Sequence, residues 1–95
     1  MMHTRHERLV AHAHGRVQGV GFRAFVHGSA QSLGLAGTVR NCRDGSVRVE
    51  AEGPKAVLDQ LLAMIQEGPA GARVTRVTEK WGEPRGLTRF TIVPM

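Results

Sequence analysis

Three glycines fall within seven positions, at Gly15, Gly19 and Gly21, between a short apolar run and a longer apolar pattern of helical spacing. Glycine accepts positive φ and lets another group approach the backbone closely, so such a loop is able to curl its N–H groups toward one point. The helix that follows begins with N–H groups lacking intrahelical partners and with the positive end of its dipole. A strand, a curled loop and a helix start in that order suit an anion, above all a phosphate. Arg16 and Arg23 flank the last two glycines. Arg23, in the first helical turn, adds a planar two-pronged donor at the same point.

The flanking pattern predicts the fold. Residues 9–13 read as a first strand ending at the glycine loop. Phe22, Phe25, Val26, Ala30 and Leu33 repeat at helical spacing, with Gly34 as the stop. Gly28 inside that helix costs about 1 kcal/mol relative to alanine. Residues 35–40 form a second strand with Val39 inward. Asn41-Cys42-Arg43-Asp44-Gly45 is a tight connection, and Asp-Gly is a strong hairpin signal. Residues 46–52 alternate cleanly: Val47, Val49 and Ala51 take one face, and Arg48, Glu50 and Glu52 take the other, expected to be solvated.

Gly53-Pro54 opens a second helix, whose apolar stripe is Val57, Leu58, Leu61, Leu62 and Ile65. Gly68-Pro69 ends it. Residues 73–81 read as a further strand. Val74 and Val77 are out of phase for a period of two there, so a bulge is expected. After a turn over residues 82–86, residues 87–93 form a last strand with Phe90 and Ile92 inward. The order β-α-β-β-α-β with a short extra C-terminal strand predicts an α+β fold. Right-handed crossovers then give an antiparallel sheet with both helices on one face.

Ninety-five residues make one domain, 1–95, with residues 1–6 expected as a disordered polar tail. No apolar run is long enough to span a membrane and the N-terminus has no secretory h-region, so no membrane partner is expected. The single cysteine, Cys42, excludes an internal disulfide and fits a reducing cytoplasm. A net charge of +5 attracts anions without choosing between nucleic acid and small phosphorylated compounds.

Other chemistries are weaker. Gly19-Val20-Gly21-Phe22-Arg23-Ala24 matches G-x-G-x-x-A, but a dinucleotide site needs a parallel β-α-β unit in a large open sheet, and Asp44 falls in a hairpin turn instead. No Walker lysine is present. A glycine turn without a ligand stays open on spacing alone. Asn41 on spacing alone is a turn former. In the expected topology, however, strands one and two end on the side of the glycine loop, which brings an uncharged amide toward the anion. His12 and His14 share one face of the first strand, and His3 and His6 lie in the tail. No third ligand matches them, so no metal site is expected. Cys42 reads as an inert turn cysteine, and Glu50 and Glu52 as a solvated face rather than a catalytic pair. The middle strand lacks the stacking aromatics of an RNA-binding domain of this topology, so no nucleic-acid partner is expected.

Gly15-Arg16-Val17-Gln18-Gly19-Val20-Gly21-Phe22-Arg23 and Gly37-Thr38-Val39-Arg40-Asn41, followed by Asp44-Gly45-Ser46-Val47, resemble the two signature stretches of the acylphosphatases. Leu33-Gly34-Leu35 and Phe90-Thr91-Ile92 extend the likeness over nearly the whole chain. The resemblance implies a ferredoxin-like sandwich, in agreement with the order above. It implies hydrolysis of a carboxyl-phosphate bond to carboxylate and inorganic phosphate, by a metal-independent monomer without a cofactor. It places phosphate binding on Gln18, Gly19, Val20, Gly21, Phe22 and Arg23, with Arg23 the key side chain, and water positioning on Asn41. Inorganic phosphate is then product and competitor. Thr38 and Ala24 depart from the residues common in the family, away from the implied chemistry. The alternative reading is a non-catalytic phosphate-binding module of the same fold; an RNA-binding domain is a third.

Overall fold

The computed structural model describes residues 5–94. Its elements run β1 (His6–Arg16), α1 (Phe22–Ser32), β2 (Ala36–Asn41), β3 (Val47–Pro54), α2 (Lys55–Glu67), β4 (Arg73–Gly82) and β5 (Phe90–Ile92). The sheet order is β4-β1-β3-β2-β5. The pairs β1–β3, β1–β4 and β2–β3 are antiparallel. β5 lies parallel to β2, so the expected antiparallel sheet becomes a mixed one at that edge. Both helices pack on one face, and the architecture is the ferredoxin-like α+β sandwich.

The buried face follows from alternation. Leu9, Ala11 and Ala13 of β1 stand opposite Ala51, Val49 and Val47 of β3, and all six are fully buried. Leu58, Leu61 and Ile65 of α2 and Phe22, Val26 and Ala30 of α1 close over them. Each large aliphatic side chain so buried contributes about 1.5–3 kcal/mol. The stop at Gly34 is a Schellman cap. The Gly34 N–H donates to the Gln31 carbonyl (3.0 Å) and the Leu35 N–H to the Ala30 carbonyl (2.9 Å), with Gly34 at φ 72°. This cap turns the chain directly into β2, which brings Asn41 back beside the start of α1.

Five expectations need correction. β1 is longer than residues 9–13. His6, assigned to the disordered tail, pairs with Pro54 as the strand's first residue; residues 1–4 of that tail lie outside the described residues. Glu50 and Glu52 are buried, at 6% and 5% exposure, because arginines and a loop cover their side of β3. Glu50 accepts from Arg8 Nε at 2.5 Å, with Arg48 and Arg85 each at 3.8 Å. Glu52 accepts the N–H groups of Arg85, Gly86 and Leu87. Those amides are thereby drawn out of strand pairing, and the last strand shrinks from 87–93 to β5. Phe90 points inward as expected, but Ile92 is 43% exposed. The bulge does exist: His14 pairs with Arg76 and Gly15 with Val74, so Thr75 is the extra residue, and its hydroxyl donates to the His14 carbonyl at 3.2 Å.

Candidate active site

The loop from β1 to α1 leaves its amides open. Gly19 and Gly21 sit at φ 74° and 78°, while Val20 between them does not have positive φ. Alternating hands along a backbone turn successive N–H groups to one side, the geometry of an anion nest. A Cβ at either glycine would meet nothing within 4 Å, so the positive φ rather than crowding calls for glycine there. Gly21 is also the N-cap of α1, without a side-chain cap. Among the described residues no N–H from residue 18 to residue 24 donates to a backbone carbonyl. These orphan donors and the helix dipole meet at one point.

Two elements supply the side chains. Arg23 is the second residue of α1 and lies half-buried, without an ion pair among the described residues. Its guanidinium keeps its charge at any ordinary pH. Asn41 ends β2 opposite Val47. It lies two residues beyond inward-facing Val39, so its side chain projects from the helix-covered face of the sheet. Its amide oxygen Oδ1 is buried and has no hydrogen-bond partner among the described residues. Such an orphan costs about 1–3 kcal/mol unless a water or ligand donates to it.

Gly19, Gly21, Phe22, Arg23 and Asn41 share one cavity of about 230 Å³. Phe22 contributes backbone only, since its ring fills the core. At roughly 30 Å³ per water, the cavity takes a small anion and a few waters and is too small for a dinucleotide. Gln18 and Val20 have other business for their side chains. Val20 packs on the core. Gln18 Nε2 donates to the carbonyls of Cys42 (2.8 Å) and Ser46 (2.9 Å). Cys42 thus lends its carbonyl, while its thiol is free. The turn itself is braced by Asp44, whose Oδ1 accepts from the Ser46 hydroxyl (2.6 Å) and N–H (2.9 Å). Those two bonds hold the Asp44 carboxyl below its ordinary range.

Sequence reasoning left three wall residues out of the cavity: Val17, Ala24 and Ile92. Ala24, a departure placed away from the chemistry, is in the wall beside it. Ile92 carried a signal, its strand pattern, but that pattern pointed it into the core. Two of the three histidines of β1, His12 and His14, do share a face, with ring centroids 6.5 Å apart. Among the described residues no three His, Cys, Asp or Glu side chains converge as metal ligands would.

Fold and site together define a ferredoxin-like α+β protein whose first strand-to-helix loop walls a cavity suited to a small anion. The comparisons are more specific. The acylphosphatase family model matches residues 9–92. An acylphosphatase of Thermus thermophilus is 51% identical over 85 residues, covering 90% of this chain and 97% of its own length. One from Corynebacterium efficiens is 47% identical over 95 residues, 96% of each chain. The crystal structure of acylphosphatase from Bacillus subtilis matches with a TM-score of 0.90 at 38% identity, covering 92% of this chain and 98% of that one. The chain belongs to the acylphosphatase family.

Proposed function

We propose that this chain hydrolyses the carboxyl-phosphate bond of small acyl phosphates, releasing a carboxylate and inorganic phosphate. The observation that carries the reading is the buried, partnerless Asn41 Oδ1 in the same cavity as Arg23 and the open amides of the glycine loop. The amides of Gln18, Gly19, Val20, Gly21 and Phe22, with the Arg23 guanidinium, hold the phosphoryl oxygens. Preorganised donors of this kind stabilise charge as it develops in the transition state. Phosphoryl transfer asks mainly for such positioning and charge stabilisation. A carboxylate leaving group, with a pKa near 4, departs without a general acid.

Asn41 positions the attacking water. Its Oδ1 accepts a hydrogen from that water, which directs an oxygen lone pair toward phosphorus. An amide is no base at neutral pH, so the water's proton goes to a phosphoryl oxygen of the substrate. No cofactor takes part in these steps. A monomer suffices, because every residue given a role comes from a single chain. A cytoplasmic setting agrees with the one free cysteine, and no helix among the described residues is long and apolar enough to cross a membrane.

The test is turnover of benzoyl phosphate with inorganic phosphate as competitor. Phosphate release inhibited competitively by phosphate is expected. Phosphate binding without turnover would make the chain a non-catalytic anion module.

A further inference from the structure

The face of the sheet that the helices leave open is strongly basic, and the chemistry proposed above makes no use of it. Arg48 on β3 stands opposite Arg40 on β2 and opposite His12 on β1. One place along, His14 faces Arg76 and Val10 faces Lys80. Like charges directly across a sheet destabilise it, so folding alone does not favour this row. Two acids of the central strands lie on this side, and both are committed, while a third, Glu79 of β4, borders a hollow on the same face. Glu50 is one carboxylate among three guanidiniums, those of Arg8, Arg48 and Arg85. Glu52 is spent on three backbone amides. The nearest other carboxylates are Asp44, bound to Ser46, and Glu79, which accepts from Trp81 Nε1 at 3.2 Å.

The face is also concave. Arg8, Val10, His12, Arg48, Thr78 and Lys80, with the Glu79–Trp81 edge, line a hollow of about 720 Å³. That is three times the catalytic cavity and within the range of small-molecule sites. Burial first, then the charges of Arg48 and His14, lower the proton affinity of His12. Asp44 opposes that effect without cancelling it. The outward residues of the central strands carry no Phe, Tyr or Trp, and the one indole at the hollow, Trp81, lies on its β4 edge. Charge rather than base stacking dominates the centre of the surface.

We propose that this hollow is a second anion site that binds an oligophosphate chain, with Arg48 at its centre and His12, Thr78 and Lys80 as further donors. A run of phosphates spans more than one strand and engages the guanidinium in paired charge-assisted bonds.

The experiment titrates inorganic tripolyphosphate into 15N-labelled protein carrying Arg23→Ala, so that the catalytic cradle is disabled. Shifts at His12, Arg48, Thr78 and Lys80 are expected, with affinity that falls as salt rises. Adding Arg48→Gln or Lys80→Gln weakens binding by about tenfold each. In the wild-type background both variants keep acyl phosphate turnover. Lys80 is exposed, so Lys80→Gln remains informative should Arg48→Gln fail to fold. ATP binding as tightly as tripolyphosphate assigns recognition to the phosphate chain. Shifts confined to residues 18–23, or affinity unchanged in both variants, overturn the proposal. So does single-stranded RNA outcompeting tripolyphosphate at equal phosphate concentration, which would make the face a nucleic-acid surface.

Discussion

Gln18 Nε2 donates to the Cys42 carbonyl oxygen at 2.8 Å, and this bond fastens the glycine loop to the turn that follows Asn41. A second bond from the same nitrogen, to the Ser46 carbonyl at 2.9 Å, closes the clamp. The glycine loop and the Asn41 amide come from segments far apart in the chain. Gln18 joins them. Replacing it with alanine removes one of two donors at each carbonyl, since the Cys42 carbonyl also accepts from the Gly45 N–H (3.1 Å) and the Ser46 carbonyl from the Cys42 N–H (2.8 Å). Each lost bond costs about 0.5–1.5 kcal/mol. We expect Gln18→Ala to lower the urea midpoint and to reduce kcat more than phosphate affinity. Unchanged stability and kcat would show that the clamp has no consequence.

Arg23 makes no ion pair among the described residues, so its removal should cost little stability, within about 0.5 kcal/mol. Activity is another matter. Loss of a guanidinium that stabilises a phosphoryl transition state costs on the order of 10³-fold or more in kcat. Arg23→Lys should fail nearly as badly, because an ammonium is a point charge and cannot grip two oxygens in a plane. Wild-type turnover of benzoyl phosphate by either variant would remove Arg23 from the mechanism.

On the mechanism proposed above, Asn41→Ala deletes the acceptor for the attacking water and leaves the cradle in place. A misplaced reactant costs about 10²-fold. The expected result is a drop of that order in kcat with the inhibition constant of inorganic phosphate nearly unchanged. The opposite split, weak phosphate binding with preserved kcat, would make Asn41 part of the cradle.

Burial pushes the Glu50 carboxyl up, but the Arg8 hydrogen bond and the charges of Arg8, Arg48 and Arg85 outweigh it, and the net direction is down from 4.5. A carboxyl with a depressed folded pKa binds fewer protons folded than unfolded. Its contribution is fully present above the unfolded value and is lost as the pH falls through the folded one. Acid unfolding below about pH 4.5 is therefore expected to flatten in Glu50→Gln, which should also be less stable at pH 7. Denaturation midpoints across pH 2–7 read this directly; parallel curves for the two proteins would contradict it.

Turnover should survive excess chelator, since in the proposed mechanism the cradle amides and Arg23 supply the charge stabilisation. Loss of activity restored by added zinc or magnesium would bring the histidines of β1 back into question.

Much of this molecule is legible in the sequence because the signals are local. The alternation of Val47, Val49 and Ala51 places β3 in phase, and positive φ favours glycine and is taken only by glycines among the described residues, so Gly19, Gly21 and Gly34 mark their turns unaided. Thr75 was foreseen in outline, because a bulge leaves its trace in the phase of Val74 and Val77. Glu50 and Glu52 were not legible. Alternation gives the side of the sheet a residue faces, but not what covers that side. Arg8 and Arg85 reach them from 42 and 35 residues away, and the loop at Gly86 from 34.

The same division holds at the site. The identity of the loop and its two-pronged donor follow from residue type and short-range spacing, because a backbone nest and a helix start are built within a few residues. Asn41 on spacing alone is a turn former, and its assignment rested on the expected topology and the family resemblance. That Arg23 and Asn41 wall one cavity, that Gln18 clamps the two halves, and that Ile92 and Ala24 complete the wall depended on strand order and on the Schellman turn into β2. Contacts between distant segments are set by packing the whole core at once, and no local pattern encodes them.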